Sequence, residues 1–195
     1  MLAVLVLALA GPPRPAPVQD QDQARRFNAR RVAIHGGGMG VLTGWSLVNL
    51  GLGLGLGFTT DGPARHFHQM NAYWNTVNLA LGVGGLVGVR REDRGLALPA
   101  AVSRARKHRS LFTWNGALDV LYVTTGAVLW NLGQTREHER LIGYGASIML
   151  QGGFLFAFDL TMAALHARNL RRVAAAPIAG VLPGGGLTVG LRGAF

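Results

Sequence analysis

The sequence contains no cysteine, and this absence removes several classes of protein at once. Disulfide frameworks, thiolate nucleophiles and iron–sulfur or zinc sites with cysteine ligands are all excluded. Charge is also scarce, because only 14% of the 195 residues are charged and nine in all are acidic. With 49% hydrophobic residues and a mean hydropathy of +0.26, the chain is too apolar for an ordinary soluble domain. The composition therefore indicates a membrane protein.

Sequence motifs of the common enzyme classes are missing as well. The sequence has no nucleotide-binding loop, no nucleophile elbow and no paired-metal signature. The glycines at 36–38 and Gly40 superficially resemble a phosphate-binding loop, but no strand precedes them and no lysine follows, so helix packing explains them better. The sequence therefore favours a protein that is not an enzyme and that binds no cofactor and no metal.

Long apolar segments fill most of the chain after residue 32. Four blocks with very little charge each exceed the ~20 residues that a helix needs to cross a bilayer. They predict transmembrane helices at 33–58, 70–89, 110–132 and 141–167. A basic juxtamembrane segment at 20–32 precedes this four-helix domain, which extends over residues 33–168, and loops rich in breakers or charges separate the helices.

The basic residues lie mainly at one side of these helices. The net charge of +10 would suit a nucleic-acid-binding protein if it formed a patch on a soluble fold. Instead, fourteen arginines and lysines flank the helices on one face, and only Arg65, Arg136 and Arg140 lie on the other. Such a bias marks the cytoplasmic side. We therefore expect a multi-pass protein of the bacterial inner membrane with both termini inside, surrounded by the lipid bilayer and not bound to nucleic acid.

Both ends of the chain depart from the helical pattern. Residues 1–19, which begin MLAVLVLALAGPPRPAP, resemble a secretory signal peptide, and its cleavage would put the new N-terminus outside, so both orientations stay open. Residues 173–195 are predicted to be a flexible, glycine-rich tail, although LTVGLRGAF within it has the pattern of a lone strand. A single strand cannot close a barrel, so the predicted fold class is all-α.

Each predicted helix carries a stripe of polar residues along one side. In the second helix Asn71, Asn75 and Asn78 fall at i, i+4 and i+7, which places them on one face. The other helices have comparable stripes, and polar groups avoid lipid most simply by facing one another. We therefore predict an antiparallel, four-span transmembrane bundle with a polar interior. Its candidate polar site consists of Asp119, Asp159, Asn49, Asn75, Asn78, Asn115, Gln151 and Tyr122.

Two carboxyl groups, those of Asp119 and Asp159, are the only acidic groups inside the predicted spans. Each lies nine or ten residues from an arginine of the basic face, so both lie at a similar depth near the bilayer centre. A lone carboxylate there costs at least ~2.5 kcal/mol by insertion scales. We therefore expect the two carboxyls to pair and to share a proton.

Three functions are compatible with these residues. In the first, the chain is a non-catalytic scaffold or accessory subunit, and the polar groups only hold its helices together. In the second, Asp119 and Asp159 relay protons or transport cations along a path lined by the amides. In the third, histidines bind haem or a metal; His35, His108 and His166 share one membrane face, but their spacing matches no metal motif. The sequence favours the scaffold.

The first predicted helix also carries a row of glycines. Gly40, Gly44, Gly51 and Gly55 follow one face in the small-xxx-small pattern with which membrane helices pack closely. We therefore expect this glycine row to be a helix-packing surface, either within the bundle or toward a second copy or another membrane protein.

The segments FHQMNAYWNTVNLALG and ERLIGYGASIMLQGGFLFAFDL, together with TGWSLVNLGLG and NGALDVLYVTTG, are the most distinctive in the chain. Through them the sequence resembles an uncharacterised family of small four-helix bacterial membrane proteins, a domain of unknown function, over residues 31–168. The resemblance implies the four-helix membrane fold and a signal-like leader, but no activity, ligand or catalytic residue. The arginine-rich second loop and the glycine-rich tail are not part of the similar pattern.

Overall fold

Four long α-helices make up nearly all of the described chain. The computed structural model describes the backbone of residues 18–174, 177–181 and 187–191 and the side chains of residues 21–173. The helices are α1 (Val18–Leu56), α2 (Gly62–Arg90), α3 (Leu98–Thr135) and α4 (Glu139–Ala174). The all-α prediction is therefore confirmed. Each helix has at least 29 residues and exceeds the length needed to cross a bilayer.

Turns join the helices where the sequence has its breakers. Gly62 adopts a φ of 59°, the left-handed region that favours glycine, at the turn from α1 into α2. Pro63 then occupies the first turn of α2, where a missing backbone N–H costs nothing, and Pro99 has the same place in α3. The chain therefore reverses direction between successive helices.

The helices are longer at the basic end than the sequence predicted. α1 begins at Val18 rather than at residue 33, and α3 begins at Leu98 rather than at residue 110. The juxtamembrane segment and much of the second loop are therefore helical. These extensions bury apolar surface against each other, because Phe27 of α1 clusters with Ala101 and Ala105 of α3, and all three are at most 4% exposed.

The helix contacts leave a gap on one side of the bundle. α1 packs against α2, α3 packs against α4, and α4 also contacts α1 and α2. Glycines let these backbones approach closely: a Cβ at Gly53 would lie 2.7 Å from the Ala72 nitrogen, and one at Gly126 would lie 2.7 Å from the Met149 nitrogen. No comparable interface joins α2 to α3 in the described part of the chain. The bundle is therefore open along that side.

The glycine row of α1 does not pack against another helix of the chain. Gly40, Gly44, Gly51 and Gly55 are exposed, and among the described residues no neighbouring atom lies within 4 Å of the place where a Cβ would stand. The row therefore does not pack within the bundle, and its contact with a second copy or another membrane protein stays a prediction. The physical reason is that α1 turns Gly53 and its polar side chains toward α2 and α4, which leaves the row on the outer face.

The predicted polar interior is present. Among the described residues, 13 buried side chains are polar or charged, against 12 that are hydrophobic. The outer surface shows the reverse, since Val48, Leu81 and Leu121 each have at least 60% of their surface exposed. A bundle dissolved in water has the opposite distribution, because burial of apolar surface is what stabilises it. About half of the buried side chains of this bundle are therefore polar, and many large apolar side chains face outward.

Two helices are long and apolar enough by themselves to cross a membrane. They correspond to Gln21–Leu56 in α1 and Glu139–Val173 in α4, within the described residues. The criterion uses length and composition only, and the core helix of a soluble protein also meets it, so these two helices alone are a weak indication of a membrane. Within the described residues, α2 and α3 do not meet this criterion.

A small β-hairpin follows the helices. β1 (Pro177–Val181) pairs antiparallel with β2 (Leu187–Leu191), so that Pro177 lies opposite Leu191. The predicted lone strand in LTVGLRGAF is thus β2, and it is paired rather than alone. Residues 1–17 of the signal-like leader lie outside the described residues.

Candidate ligand-binding site

Gln151 of α4 is the centre of a hydrogen-bonded amide cluster that joins three helices. Its Nε2 donates to Asn71 Oδ1 of α2 at 2.9 Å and to Asn49 Oδ1 of α1 at 3.4 Å. Its Oε1 accepts from the Trp45 indole at 2.9 Å, and Ser147 donates to Asn71 Oδ1 at 2.7 Å. The Gln151 side chain is fully buried, and both of its polar atoms are paired. Such a saturated cluster holds helices together.

Two further asparagines of α2 are only partly paired. Asn75 Nδ2 donates to the Asn71 carbonyl at 2.9 Å, but Asn75 Oδ1 has no hydrogen-bond partner among the described residues. Asn78 is 4% exposed, and its Nδ2 has no partner in the described chain either. Because buried polar groups are nearly always hydrogen-bonded, these two atoms indicate a partner outside the chain.

Asp119 of α3 and Asp159 of α4 form a buried carboxyl pair. The two residues are 2% and 4% exposed, and their carboxyl groups are close enough to form a hydrogen bond. The expected contact between the two carboxyls is therefore present. This bond requires a proton on one of them, because two carboxylates in contact repel each other. Asp119 Oδ2 has no donor partner among the described residues, so the pair keeps a free acceptor.

A cavity of about 680 Å³ lies between α2 and α3, where the two helices do not pack. Side chains of α1 and α4 close its inner end, and its walls include Asn78 and the carboxyl pair. Most of the remaining lining is apolar, and Leu81, Leu118 and Phe158 belong to it. An apolar wall with a few convergent polar groups is typical of small-molecule sites, and the volume is in the usual range for them.

The cavity opens to the outer surface between apolar side chains. Val77 and Leu81 of α2 are 61% exposed, Leu118 of α3 is 49% exposed, and all three line the cavity. The rings of Trp74 and Tyr122 meet edge to face across the gap, with centroids 4.9 Å apart. A molecule that enters between α2 and α3 therefore comes from the surroundings of the apolar outer face.

Three histidines from three helices form a second polar centre, the histidine cluster. One ring nitrogen each of His35 (α1), His108 (α3) and His166 (α4) lies within 4.8 Å of the others. The His35 and His108 rings stack with centroids 4.2 Å apart, and His166 lies 5.2 Å from His108. Nδ1 of every ring lacks a partner in the described chain, as does Nε2 of the fully buried His166. His35 also lines the cavity.

A buried ion pair lies beside the histidine cluster, at the basic end of the bundle. Arg31 of α1 is 1% exposed and donates to Glu92 Oε1 at 2.8 Å and to Asn28 Oδ1 at 2.7 Å. Arg104 of α3 bonds to the same Glu92 oxygen. Burial alone would raise the pKa of Glu92, but the bonds from Arg104 and Arg31 outweigh it and hold the pKa below its ordinary value. Glu92 thus ties the loop after α2 to α1 and α3.

Five of the eight predicted polar-site residues line the cavity. Asn78, Asp119 and Asp159 do so as buried groups. Asn115 is only half-buried, and Tyr122 is 39% exposed and stands at the opening. The polar stripes predicted that these residues share one interior, but they did not predict the gap between α2 and α3 that turns them into a site.

The other three predicted residues lie in or beside the amide cluster. Asn49 and Gln151 belong to it, and Asn75 bonds to the backbone of Asn71. The predicted site left out Asn71 and Ser147, which complete the cluster. Ser147 precedes Gln151 by four residues, so helical spacing was a signal that could have identified it.

The sequence left metal or haem binding by these histidines only as a third alternative, because the members of the cluster come from three separate helices. Ligand motifs in sequence depend on short spacings within one segment. His35 and His166 lie near opposite ends of the chain, so only the fold brings them together. The sequence did indicate that the three histidines lie at the same membrane face, and this was the signal that could have identified the cluster.

Comparison with known protein families identifies the domain that contains the cavity. A model of a family of unknown function, DUF6992, matches residues 41–160, which is more than half of the chain. The chain belongs to this family. The resemblance to an uncharacterised domain family is thereby confirmed in this general form. No curated protein and no solved structure matches the chain.

The residues that match DUF6992 contain the cavity with its polar groups, but they contain only one of the three residues of the histidine cluster. The amide cluster, the carboxyl pair and the two walls of the cavity lie within residues 41–160. His35 lies before the matched residues, His166 lies after them, and His108 lies between. The cavity is therefore part of the family domain, whereas the histidine cluster depends on segments that flank it.

Proposed function

We propose that this chain is an integral membrane protein of four spans that binds a lipid-soluble molecule between α2 and α3. The bound molecule carries a hydroxyl or a protonated carboxyl group, which Asn78 and the carboxyl pair hold, and its apolar body lies along the leucines of the cavity. The membrane is the bacterial inner membrane, in keeping with the unequal distribution of basic residues over the loops.

The side chains of α2 and α3 support four spans rather than two. α2 buries Asn71, Asn75 and Asn78 and exposes Val77 and Leu81 by 61% each. The buried asparagines lower the mean hydropathy of α2, although they would not contact lipid. α3 buries Asp119 in the same way while its leucines face outward. An apolar exterior of this kind is favourable in lipid and unfavourable in water.

Two unpaired polar atoms carry the proposal for binding. Asn78 Nδ2 is a donor without an acceptor, Asp119 Oδ2 is an acceptor without a donor, and both residues line the same cavity. A hydroxyl or protonated carboxyl both donates and accepts, so one such group satisfies both atoms. An unsatisfied buried polar group costs ~1–3 kcal/mol, and binding removes that cost. The gap between α2 and α3 gives such a molecule a path from the bilayer.

Single-cysteine variants test the four spans, since the chain has no cysteine of its own. Thr59→Cys, Arg94→Cys and Arg136→Cys each place a thiol at an exposed position between two helices. With four spans, a membrane-impermeant thiol reagent labels Arg94→Cys from the side opposite to the other two. If only α1 and α4 cross the membrane, all three thiols are labelled from one side, and the proposal is wrong. The side that labels Arg94→Cys also decides the orientation.

A pair of tryptophan variants on one helix tests the cavity. Native mass spectrometry of the protein in a mild detergent measures any small molecule that co-purifies with it. Leu118→Trp fills the cavity, so it should reduce the bound fraction at least tenfold. Leu121→Trp is the matched control, because Leu121 is also exposed on α3 but does not line the cavity. Equal retention by the two variants, or a wild-type protein that carries nothing, would contradict the proposal.

A proton relay is the second candidate function, and the bond between the two carboxyls favours it. A pair that shares one proton can exchange it with groups at either end of the cavity, among them His35. Proton flux into liposomes that contain the purified protein tests this. Asp159→Asn should keep the fold and abolish the flux. If wild-type liposomes show no flux above protein-free liposomes, the relay is excluded. Binding in the cavity is tested separately, by Leu118→Trp and Leu121→Trp.

A further inference from the structure

We infer that His35, His108 and His166 form a binding site for a transition-metal ion of the class that imidazole prefers, such as Zn²⁺ or Cu²⁺. The inference concerns a part of the bundle that lies largely outside the family domain. It rests on unpaired atoms other than those that carry the proposed binding in the cavity, although the His35 ring also lines the cavity.

The spacing of the three rings is close to that of a metal site. One nitrogen from each ring lies within 4.8 Å of the other two. Nitrogens that surround one zinc ion at ~2.0–2.1 Å are ~3.3 Å apart in tetrahedral geometry, so the rings need to move together by only ~1–1.5 Å. Because the His35 and His108 rings are stacked, their in-plane lone pairs converge on one ion only after the side chains rotate to other staggered rotamers.

The unpaired nitrogens give a chemical reason for an ion. A neutral imidazole has one N–H donor and one lone-pair acceptor, and burial makes both costly to leave unsatisfied. His166 is fully buried, and neither of its nitrogens has a partner in the described chain. His35 and His108 each leave Nδ1 unpaired as well. An ion bound between the rings takes one lone pair from each of them.

Packing alone does not account for histidine at these places. The His166 ring stacks on Phe112 with centroids 5.9 Å apart, and Phe112 belongs to an apolar layer with Met39 and Met162. An apolar ring at position 166 would meet the same neighbours without unpaired nitrogens. Met39 and Phe112 also line the cavity, so the apolar layer borders the cluster where His35 meets the cavity, and apolar surroundings strengthen coordination bonds.

The rings also favour a bare ion over haem. His35 and His108 lie face to face with centroids 4.2 Å apart and an interplanar angle of 12°. A haem held by two histidines lies between their ring nitrogens, which point at the iron from opposite faces of the macrocycle, and this stack leaves no space for it. Three protein ligands leave one further coordination position, as in zinc sites that keep a water or a substrate.

The permanent charges near the cluster partly cancel, because Arg31 and Lys107 disfavour a positive charge there and Glu92 favours one. Arg31 lies one turn before His35 on α1, but its guanidinium is paired with Glu92 at 2.8 Å. Arg104 shares the same carboxylate. The loop after α2 thus places the Glu92 carboxylate next to the two arginines. The histidine cluster offers nitrogen ligands and no set of oxygen ligands, which hard cations such as Mg²⁺ require.

Metal binding is measured on the full chain in detergent, purified through a tag that contains no histidine and treated with a chelator. Titration with Co²⁺ reports coordination through its visible absorption, and Zn²⁺ should then displace the Co²⁺. We expect one Co²⁺ per chain and a melting temperature that rises with Zn²⁺ but not with Mg²⁺. Absence of the absorption band together with an unchanged melting temperature would overturn the inference.

Two variants show where the ion binds. His108→Gln removes a half-buried ligand and should weaken Co²⁺ binding at least tenfold. His68→Gln is the control, because His68 is also half-buried with an unpaired Nδ1 but lies outside the cluster. If both variants bind as tightly as the wild type, or both lose binding equally, the ion is elsewhere and the inference is wrong. Because the stabilisation by Zn²⁺ is measured on the wild type, the test does not depend on the folding of a variant.

Discussion

The amide cluster and the histidine cluster are both buried, and each joins three helices, but they differ in hydrogen bonding. Both polar atoms of Gln151 have partners within the chain. In the histidine cluster every ring has an unpaired nitrogen, and His166 has two. Polar groups that satisfy one another stabilise a fold, whereas unpaired ones destabilise it unless another molecule bonds to them. Pairing, rather than burial, separates structural groups from binding groups here.

The wall of the cavity contains both paired and unpaired polar groups. The carboxyls of Asp119 and Asp159 satisfy each other in part, but Asp119 Oδ2 and Asn78 Nδ2 remain unpaired on the cavity wall. Of the polar side chains on α2, Asn71 is bonded to the amide cluster, while Asn78 Nδ2 has no partner among the described residues. The asparagines of α2 therefore have two roles, since Asn71 helps to join the helices and Asn78 offers a donor on the cavity wall.

The largest effect is expected when the paired cluster is broken. Gln151→Leu leaves the Trp45 indole N–H without its acceptor and Asn49 Oδ1 without its donor, so it should reduce the free energy of unfolding by about 2–3 kcal/mol. Denaturant unfolding in detergent measures this. Gln69→Leu is the control, since Gln69 is half-buried with a single 3.3 Å contact to His66, and should change stability by less than ~1 kcal/mol. Similar losses in both variants would remove the distinction between the clusters.

A smaller effect is expected at the basic end, and it depends on pH. The pKa of Glu92 in the folded chain lies below its ordinary value of 4.5, so its stabilising contribution is present above pH 4.5 and is lost as the pH falls through the folded pKa. Glu92 is partly exposed, which limits the effect to ~1 kcal/mol, or about 2–4 °C in melting temperature. Glu92→Gln should lack this acid-dependent decrease. The same decrease in the variant would assign it to other groups.

The smallest effect is expected at the exposed glycine row. Gly44→Leu places a side chain in open space, so monomer stability should change by less than ~0.5 kcal/mol. Gly82→Leu is the contrast, because a Cβ there lies 3.0 Å from the Thr43 nitrogen and must push α1 and α2 apart. The scaffold or accessory-subunit interpretation stays a prediction, and native mass tests it. A wild-type oligomer that Gly44→Leu dissociates would support a role of the row between chains, and a monomer in both would argue against it.

Local spacing was enough to predict the number of helices and their inward faces. Asn71, Asn75 and Asn78 recur with the period of a helix, and all three are buried as expected. The depth of Asp119 and Asp159 was predicted from the rise per residue, and their contact follows from it. Such features depend on the residue spacing within one helix, or on the number of residues from the basic end in each of two helices.

Features that depend on how helices pack against each other could not be predicted. The glycine row satisfied the packing pattern, but the pattern does not say which of two suitable faces meets a neighbour, and α1 uses Gly53 instead. The helical extensions depend on contact of Phe27 with Ala101, which are distant in the chain. The gap between α2 and α3 and the meeting of the three histidines likewise exist only in the folded bundle.

The most direct test of the distinction between paired and unpaired groups is Asn78→Leu, measured for both stability and binding. Leucine has the same branched arrangement of side-chain heavy atoms as asparagine and has no donor to leave unpaired. After the co-purified molecule is removed by detergent exchange, we expect the variant to melt at or above the wild-type temperature. We also expect the bound fraction in native mass spectra to be at least tenfold lower than in the wild type. A melting temperature lowered as far as in Gln151→Leu, with the molecule retained, would show that Asn78 is a structural group and would contradict the proposed site.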